Sequence, residues 1–300
     1  MSPKFIAFFA LAFAVLTWGI SPVFIRSLAL ATGSSDSIII RMWSVAIVCV
    51  PLLAFAGFKI ERQDIPNLLI ASVIGMFGYF LGTIFGFARV SAGIGGIIIA
   101  TQPLLIALLA AAMGIEKLKL NVIIGIIISF AGTIFLFGGA NTSGSGQHDL
   151  IVGGTMIFLS GICWAINVML SKPLVKKYGT LKITAYTLML CGPPSLVFAS
   201  SSTLPAIASL GFKEWATLFY LSIIATFIAL IVWNYAVGHL KSSTMGASLY
   251  LVPLLAVLAG WLVLGEVVTL STLMAGFVIL LGVAVAQFAP QFGKRSMQDL

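Results

Sequence analysis

Charge is scarce in this 300-residue chain, with Asp, Glu, Lys and Arg making up only 8% of it. Soluble domains carry about 25%, so a surface this poor in charge excludes a water-soluble globule. Cysteine is scarcer still. Cys49, Cys163 and Cys191 are odd in number, lie inside apolar runs and show no C-x-x-C or Cys/His spacing. They read as small buried hydrophobes, and neither a disulfide framework nor a metal site is expected. His148 and His239 fall in loops or at run ends, and no Asp or Glu stands in the middle of an apolar run. A membrane-embedded enzyme would need clustered His, Asp or Glu, so no catalytic residue and no cofactor is expected. Proton coupling lacks an evident carrier for the same reason.

What the chain has instead is apolar surface. Hydrophobic residues make up 60%, and the mean hydropathy is +1.16. A bilayer core of roughly 30 Å needs about 20 mostly apolar residues per helix. Ten such runs are present, at 5–25, 37–57, 66–88, 91–113, 120–138, 151–171, 181–200, 214–236, 243–263 and 270–289. Barrel strands would alternate apolar and polar residues, whereas "VIIGIIISFAGTIFLFGG" is apolar all round. The first run stays apolar for longer than a signal h-region and shows no A-x-A site, so it reads as the first helix. The fold class expected is an all-α integral membrane protein with ten transmembrane helices.

The net charge of +8 invites a nucleic-acid reading, but no basic cluster is interleaved with aromatics as that would require. Ten crossings put both termini on one side. Lys4, Lys59, Arg62, Lys117, Lys119, Lys172, Lys176, Lys177, Lys182, Lys241, Lys294 and Arg295 fall on that side, against Arg26, Arg41, Arg89 and Lys213 on the other. The positive-inside rule then makes both termini cytoplasmic, in a bacterial-type inner membrane. The partners expected are membrane lipid and a small-molecule substrate, with no nucleic acid, for a monomer or weak oligomer.

One apolar phrase occurs twice, as "PLLIALLAAAMGIE" from Pro103 to Glu116 and "PLLAVLAGWLVLGE" from Pro253 to Glu266. The echo extends further. At an offset of 146, Trp18 falls on Trp164, Ser21 on Asn167, Arg26 on Lys172 and Gly33 on Gly179; at 150, Gly96 falls on Gly246 and Gly132 on Gly282. Two five-helix halves emerge, 1–140 and 151–300, joined by a Gly/Ser-rich linker at 141–150 within "GGANTSGSGQHD". Five is odd, so the second half is inverted, an arrangement that transporters use for alternating access around a midplane site.

The chain is similar to the drug/metabolite transporter superfamily, in its EamA-type ten-helix branch, and resembles the aromatic amino-acid exporters there. The resemblance rests on "LTWGISPVFIR", "IIIRMWSVAIV", "PLLIALLAAAMGIEKL", "WNYAVGHLKSSTMGASLYLVPLLAVLAGWLVLGEVVT" and "GFVILLGVAVA", and it covers both halves. It implies a basket of ten helices with a central cavity and export of small metabolites, without fixing the substrate.

The runs also carry neutral polar and aromatic groups that should face the interior, because an unpartnered amide in hydrocarbon is costly. Trp18 and Ser21 share a helix face, as do Trp164 and Asn167. Tyr79, Gln102, Tyr186, Trp233, Asn234 and Tyr250 join them as candidate substrate contacts. For Gln102 and Asn234, helix-to-helix glue serves as well as ligand contact. Arg41 is the one plausible buried cation, placed to receive a carboxylate or to snorkel. Arg26 and Arg89, nearer the run ends, are expected to snorkel. Glu116 and Glu266 read as end residues or as partners of a neighbouring helix. Pro22, Pro103 and Pro253 each remove a helical hydrogen bond and are candidate hinges. Indole faces stack on aromatics and attract ammonium, so such a lining suits amino acids, aromatic ones favoured, moving by facilitated diffusion. Export of drugs or nucleobases and nucleosides is the alternative, with a proton-coupled antiporter behind it.

Overall fold

The computed structural model describes residues 3–57, 59–114, 120–139, 146–240, 248–249 and 251–288. Every regular element among them is helical. Ten main helices follow the ten apolar runs: α1 (Pro3–Thr32), α2 (Ser34–Ala56), α3 (Arg62–Phe87), α4 (Ala92–Ala112), α5 (Leu120–Gly139), α6 (Gln147–Tyr178), α7 (Thr180–Phe198), α8 (212–239), α9 (Leu251–Leu264) and α10 (Leu270–Phe288). Eight are long and apolar enough to span a bilayer, and α9 and α10 are shorter apolar helices. Large apolar side chains such as Phe9, Ile47, Ile127, Ile134, Leu262 and Phe277 face outward, as a lipid solvent requires and water would not tolerate at this density.

Some bounds differ from the sequence-based spans. α6 runs on past Pro173 to Tyr178, putting Lys176 and Lys177 in its last turn, where cations complement the C-terminal end of the helix dipole. α4 is interrupted at Ala100–Thr101, and Pro103 is the second residue of its second segment, Gln102–Ala112. α7 breaks at Leu190–Cys191 ahead of Pro193 and Pro194, which have no N–H to continue the ladder. α1 passes through Pro22 without ending. Pro253 is the third residue of α9. Glu116, Tyr250, Lys117, Lys119, Lys241, Lys294, Arg295 and residues 141–145 of the linker lie outside the described residues.

The halves mirror each other in local geometry. One glycine separates α1 from α2 and another α6 from α7. Gly33 has φ 78, ψ 153 and Gly179 has φ 87, ψ 153, a region open in practice only to glycine. α3 and α8 each contain a π-helical stretch, Ile70–Phe77 and Tyr220–Ile228, starting 150 positions apart. The packing pairs are also exchanged symmetrically: α1 with α8 and α6 with α3, α4 with α9, α5 with α10, α2 with α7. Small residues set the closest of these. The Gly78, Gly82 and Gly86 stripe of α3 lies on Cys163, Met156, Ser160 and Ile157 of α6. Gly125 and Gly282 bring α5 and α10 together, and Ser129 Oγ donates to Ile279 O at 3.0 Å across them.

The two ends of the bundle are tied by different groups. We call the end where α1 begins the terminal face. There the α2–α3 connection meets the end of α6 and the start of α7: Lys177 Nζ lies 2.7 Å from both Asp64 Oδ2 and Glu61 Oε2. Tyr178 Oη donates to Asp64 Oδ2 at 2.6 Å, and Lys182 Nζ to Lys59 O at 2.6 Å. The end of α1 and the start of α4 lie at the opposite face, against the α9–α10 connection. Equivalent ends of α1 and α6 therefore sit on opposite faces, as inversion demands.

Candidate functional site

Trp18 in α1 packs against Trp233 in α8 with ring centroids 5.1 Å apart, and its Nε1 donates to Ala225 O at 2.9 Å. Trp164 in α6 packs against Tyr79 in α3 at 5.2 Å. The two tryptophans related by the repeat thus each pack at a tilt of 48° on an aromatic of the other half. The π stretches explain part of this arrangement. Wide turns expose carbonyls that α-helical turns would use, and Ala225 O accepts from Trp18 while Ala71 O accepts from Asn167 Nδ2 at 3.0 Å. Gly75 makes room for Asn167, since a side chain there would meet the Asn167 backbone at 2.8 Å.

Several predicted contacts are already engaged within the protein. Asn167 is 6% exposed with its amide held by α3. Ser21 Oγ donates to Thr17 O at 2.8 Å, and Tyr220 Oη donates to the same carbonyl at 2.6 Å. Tyr186 is half-buried against the core, beside Leu68 of α3, Leu174 of α6 and Ile183 of its own helix. Asn234 lies in α8, but its side chain, like Tyr250, is outside the described residues.

Arg41, Tyr79 and Gln102 come together from α2, α3 and α4. Arg41 is 5% exposed, with its guanidinium carbon 4.7 Å from the Phe80 ring centroid. Its Nε and Nη1 are buried without a hydrogen-bond partner, as is Gln102 Nε2. Tyr79 is the electrostatic neighbour of Arg41, and its hydroxyl lies beside the Gln102 side chain. Arg41 therefore points into the protein. Phe80, Tyr220 and Ser222 were not singled out from the sequence. Phe80 covers Arg41, Tyr220 packs on Phe24 at 4.3 Å, and Ser222 Oγ is a further buried hydroxyl without a partner.

The expectation that Arg26 snorkels is overturned. Its Nε lies 3.2 Å from Glu266 Oε1, and both side chains are largely buried, at 17% and 12% exposure. Arg26 Nη1 also donates to Phe87 O at 2.7 Å and to Val90 O, closing the end of α3. Glu266 accepts from Ala92 N at 2.8 Å and Gly93 N at 3.3 Å, closing the start of α4. The free carbonyls of one helix end and the free amides of another thus draw both charges inward. Arg89 turns back on its own helix, donating to Phe85 O at 2.9 Å. Below this clasp Gly93 rests on Val257, with 3.6 Å between a built Cβ and that of Val257. α4 and α9 are therefore closed against each other at the opposite face. Among the described residues no three His, Cys, Asp or Glu side chains cluster as metal ligands.

Comparison with known proteins fits this architecture. The chain is 25% identical over 285 residues to an uncharacterized transporter of Archaeoglobus fulgidus, covering 93% of this chain and 95% of the other. It is 26% identical over 282 residues to a probable terminal-alkyne amino-acid exporter of Streptantibioticus cattleyicolor, covering 92% of each. An uncharacterized inner membrane transporter of Escherichia coli K12, YedA, is 25% identical over 249 residues, 76% of this chain and 77% of that one. A protein of known crystal structure, 19% identical, shares the fold over 99% of both chains with a TM-score of 0.60. The model of the EamA-like transporter family matches twice, over residues 5–138 and 151–287, and the chain belongs to that family.

Proposed function

We propose that this transporter exports amino acids, aromatic ones favoured, by alternating access around the band of Trp18, Tyr79, Trp164 and Trp233. The observation that carries the reading is the pair of aromatic contacts, Trp18 on Trp233 and Trp164 on Tyr79, whose two tryptophans correspond through the repeat. Flat π faces from both halves suit an apolar or aromatic side group, and they attract an ammonium. The similarity to a probable amino-acid exporter agrees with this choice. The sequence assigns twelve of the sixteen basic residues to the side of the termini, which favours a cytoplasmic terminal face, and the likeness to an inner membrane transporter supports that membrane.

Movement down a gradient suffices for an overproduced metabolite. Glu266 is held by Arg26 and two backbone amides, and the central band holds no carboxylate among the described residues, which supports facilitated diffusion. The test is counterflow and net flux in proteoliposomes with phenylalanine, leucine, adenine, uridine and a cationic dye, each with and without a pH gradient. Exchange of the amino acids alone, unchanged by the gradient, is the expected result. Exchange confined to the nucleobase, nucleoside or dye would reject the substrate class, and gradient-dependent accumulation would reject facilitated diffusion.

A further inference from the structure

The central band repeats its two tryptophans but not their aromatic partners, and it is asymmetric in its charge. Trp18 corresponds to Trp164, but at the same offsets Arg41 corresponds to Thr187 and Gln102 to Val252. One half supplies a cation and an amide where the other supplies a hydroxyl and an apolar group. Arg41 has no ion-pair partner among the described residues. An isolated cation kept in a low-dielectric interior is costly, and so is each donor left empty. Here Arg41 Nε and Arg41 Nη1 are empty, and Gln102 Nε2 has no partner of full hydrogen-bond geometry, only the Tyr79 side chain beside it. All are N–H groups, and Phe80 and Tyr79 of the intervening helix flank them.

We infer that Arg41 and Gln102 form the subsite for a single carboxylate of the transported solute. The class of substrate is then an apolar monocarboxylate, with amino acids as one case. A guanidinium offers its donors as a planar fork that fits the two carboxylate oxygens, and the Gln102 amide supplies a neutral donor beside it. One buried cation balances one negative charge, so phosphorylated and dicarboxylate solutes are excluded. The inference deepens the export reading, on which it rests, but needs only the carboxylate and not the amino group.

Four probes separate these claims: L-phenylalanine, L-leucine, 3-phenylpropionate and L-phenylalaninamide, the last differing from phenylalanine only in lacking the carboxylate. Each is measured on the purified protein by its shift of the melting temperature and by counterflow in liposomes. The acids should shift melting and exchange, with the amide roughly tenfold or more weaker, as expected for losing a hydrogen bond to a charged group. Arg41→Gln should erase the acid preference while leaving the unliganded melting temperature equal or higher, because an empty buried charge is removed. Arg41→Lys should fall between, and Gln102→Met should give a smaller loss in the same direction even if Arg41→Gln does not fold. An amide as good as the acid, or an acid preference that survives both Arg41→Gln and Gln102→Met, would overturn the subsite. A response to 3-phenylpropionate without either amino acid keeps the subsite and rejects amino-acid export. No response to any acid overturns both.

Discussion

Trp164 shows how far a single side chain can be argued. Its indole lies 5.2 Å from the Tyr79 ring, so Trp164→Phe keeps an aromatic on Tyr79 whereas Trp164→Ala leaves a gap. We expect Phe to retain most of the counterflow rate per folded protein and Ala to lose about tenfold, since aromatic pairs contribute roughly 0.5–1.5 kcal/mol beyond burial. An Ala variant transporting at the full rate would reduce the stack to packing. Trp18 differs, because its Nε1 also donates to Ala225 O, so Trp18→Phe should lower stability by about 1 kcal/mol. Gly33 and Gly179 are the purest stability tests. Their φ of 78 and 87 makes Ala cost about 1–3 kcal/mol at either position, read as a lower melting temperature with transport per folded molecule retained.

At the level of elements, the clasp of Arg26 and Glu266 is two-sided. The cation serves the carbonyl end of α3, and the carboxylate serves the amide end of α4. Exchanging the charges would set a carboxylate against carbonyls and a guanidinium against amides. The Arg26→Glu/Glu266→Arg double variant should therefore melt as low as the worse single variant. Full rescue would mean that the ion pair alone matters. This clasp was hidden in the sequence because its partners come from different halves and meet only through tertiary packing. The helices themselves were legible, since lipid demands long apolar runs. The π stretches were not, because "IASVIGMF" and "YLSIIATFI" differ in no simple way from α-helical apolar sequence. Their role depends on carbonyl acceptors offered to Trp18 and Asn167. The outward direction expected for Arg26 was misread because distance from a run end says nothing about an inward partner.

For the molecule as a whole, the repeat was readable as spaced Trp, Pro, Glu and Gly residues, and its physical consequence is the exchanged pairing of helices. The central site was legible only as a set of residue types. Which donors are spent, as in Asn167 and Ser21, and which stand empty, as in Arg41, follows from the packed structure. Orientation is checked by a C-terminal reporter active only outside the cytoplasm, which should stay silent. Alternating access makes the sharpest demand, that α4 and α9 separate at the opposite face during each cycle. The Cβ separation at Gly93 and Val257 is 3.6 Å, within disulfide range, although the built Cβ also lies 3.2 Å from the Val257 Cα, so α9 must give by a few tenths of an ångström. In a background lacking the three native cysteines, Gly93→Cys/Val257→Cys protein should cross-link on oxidation and its phenylalanine counterflow should stop, returning when reductant is added. Full counterflow by the cross-linked protein would contradict alternating access through this face.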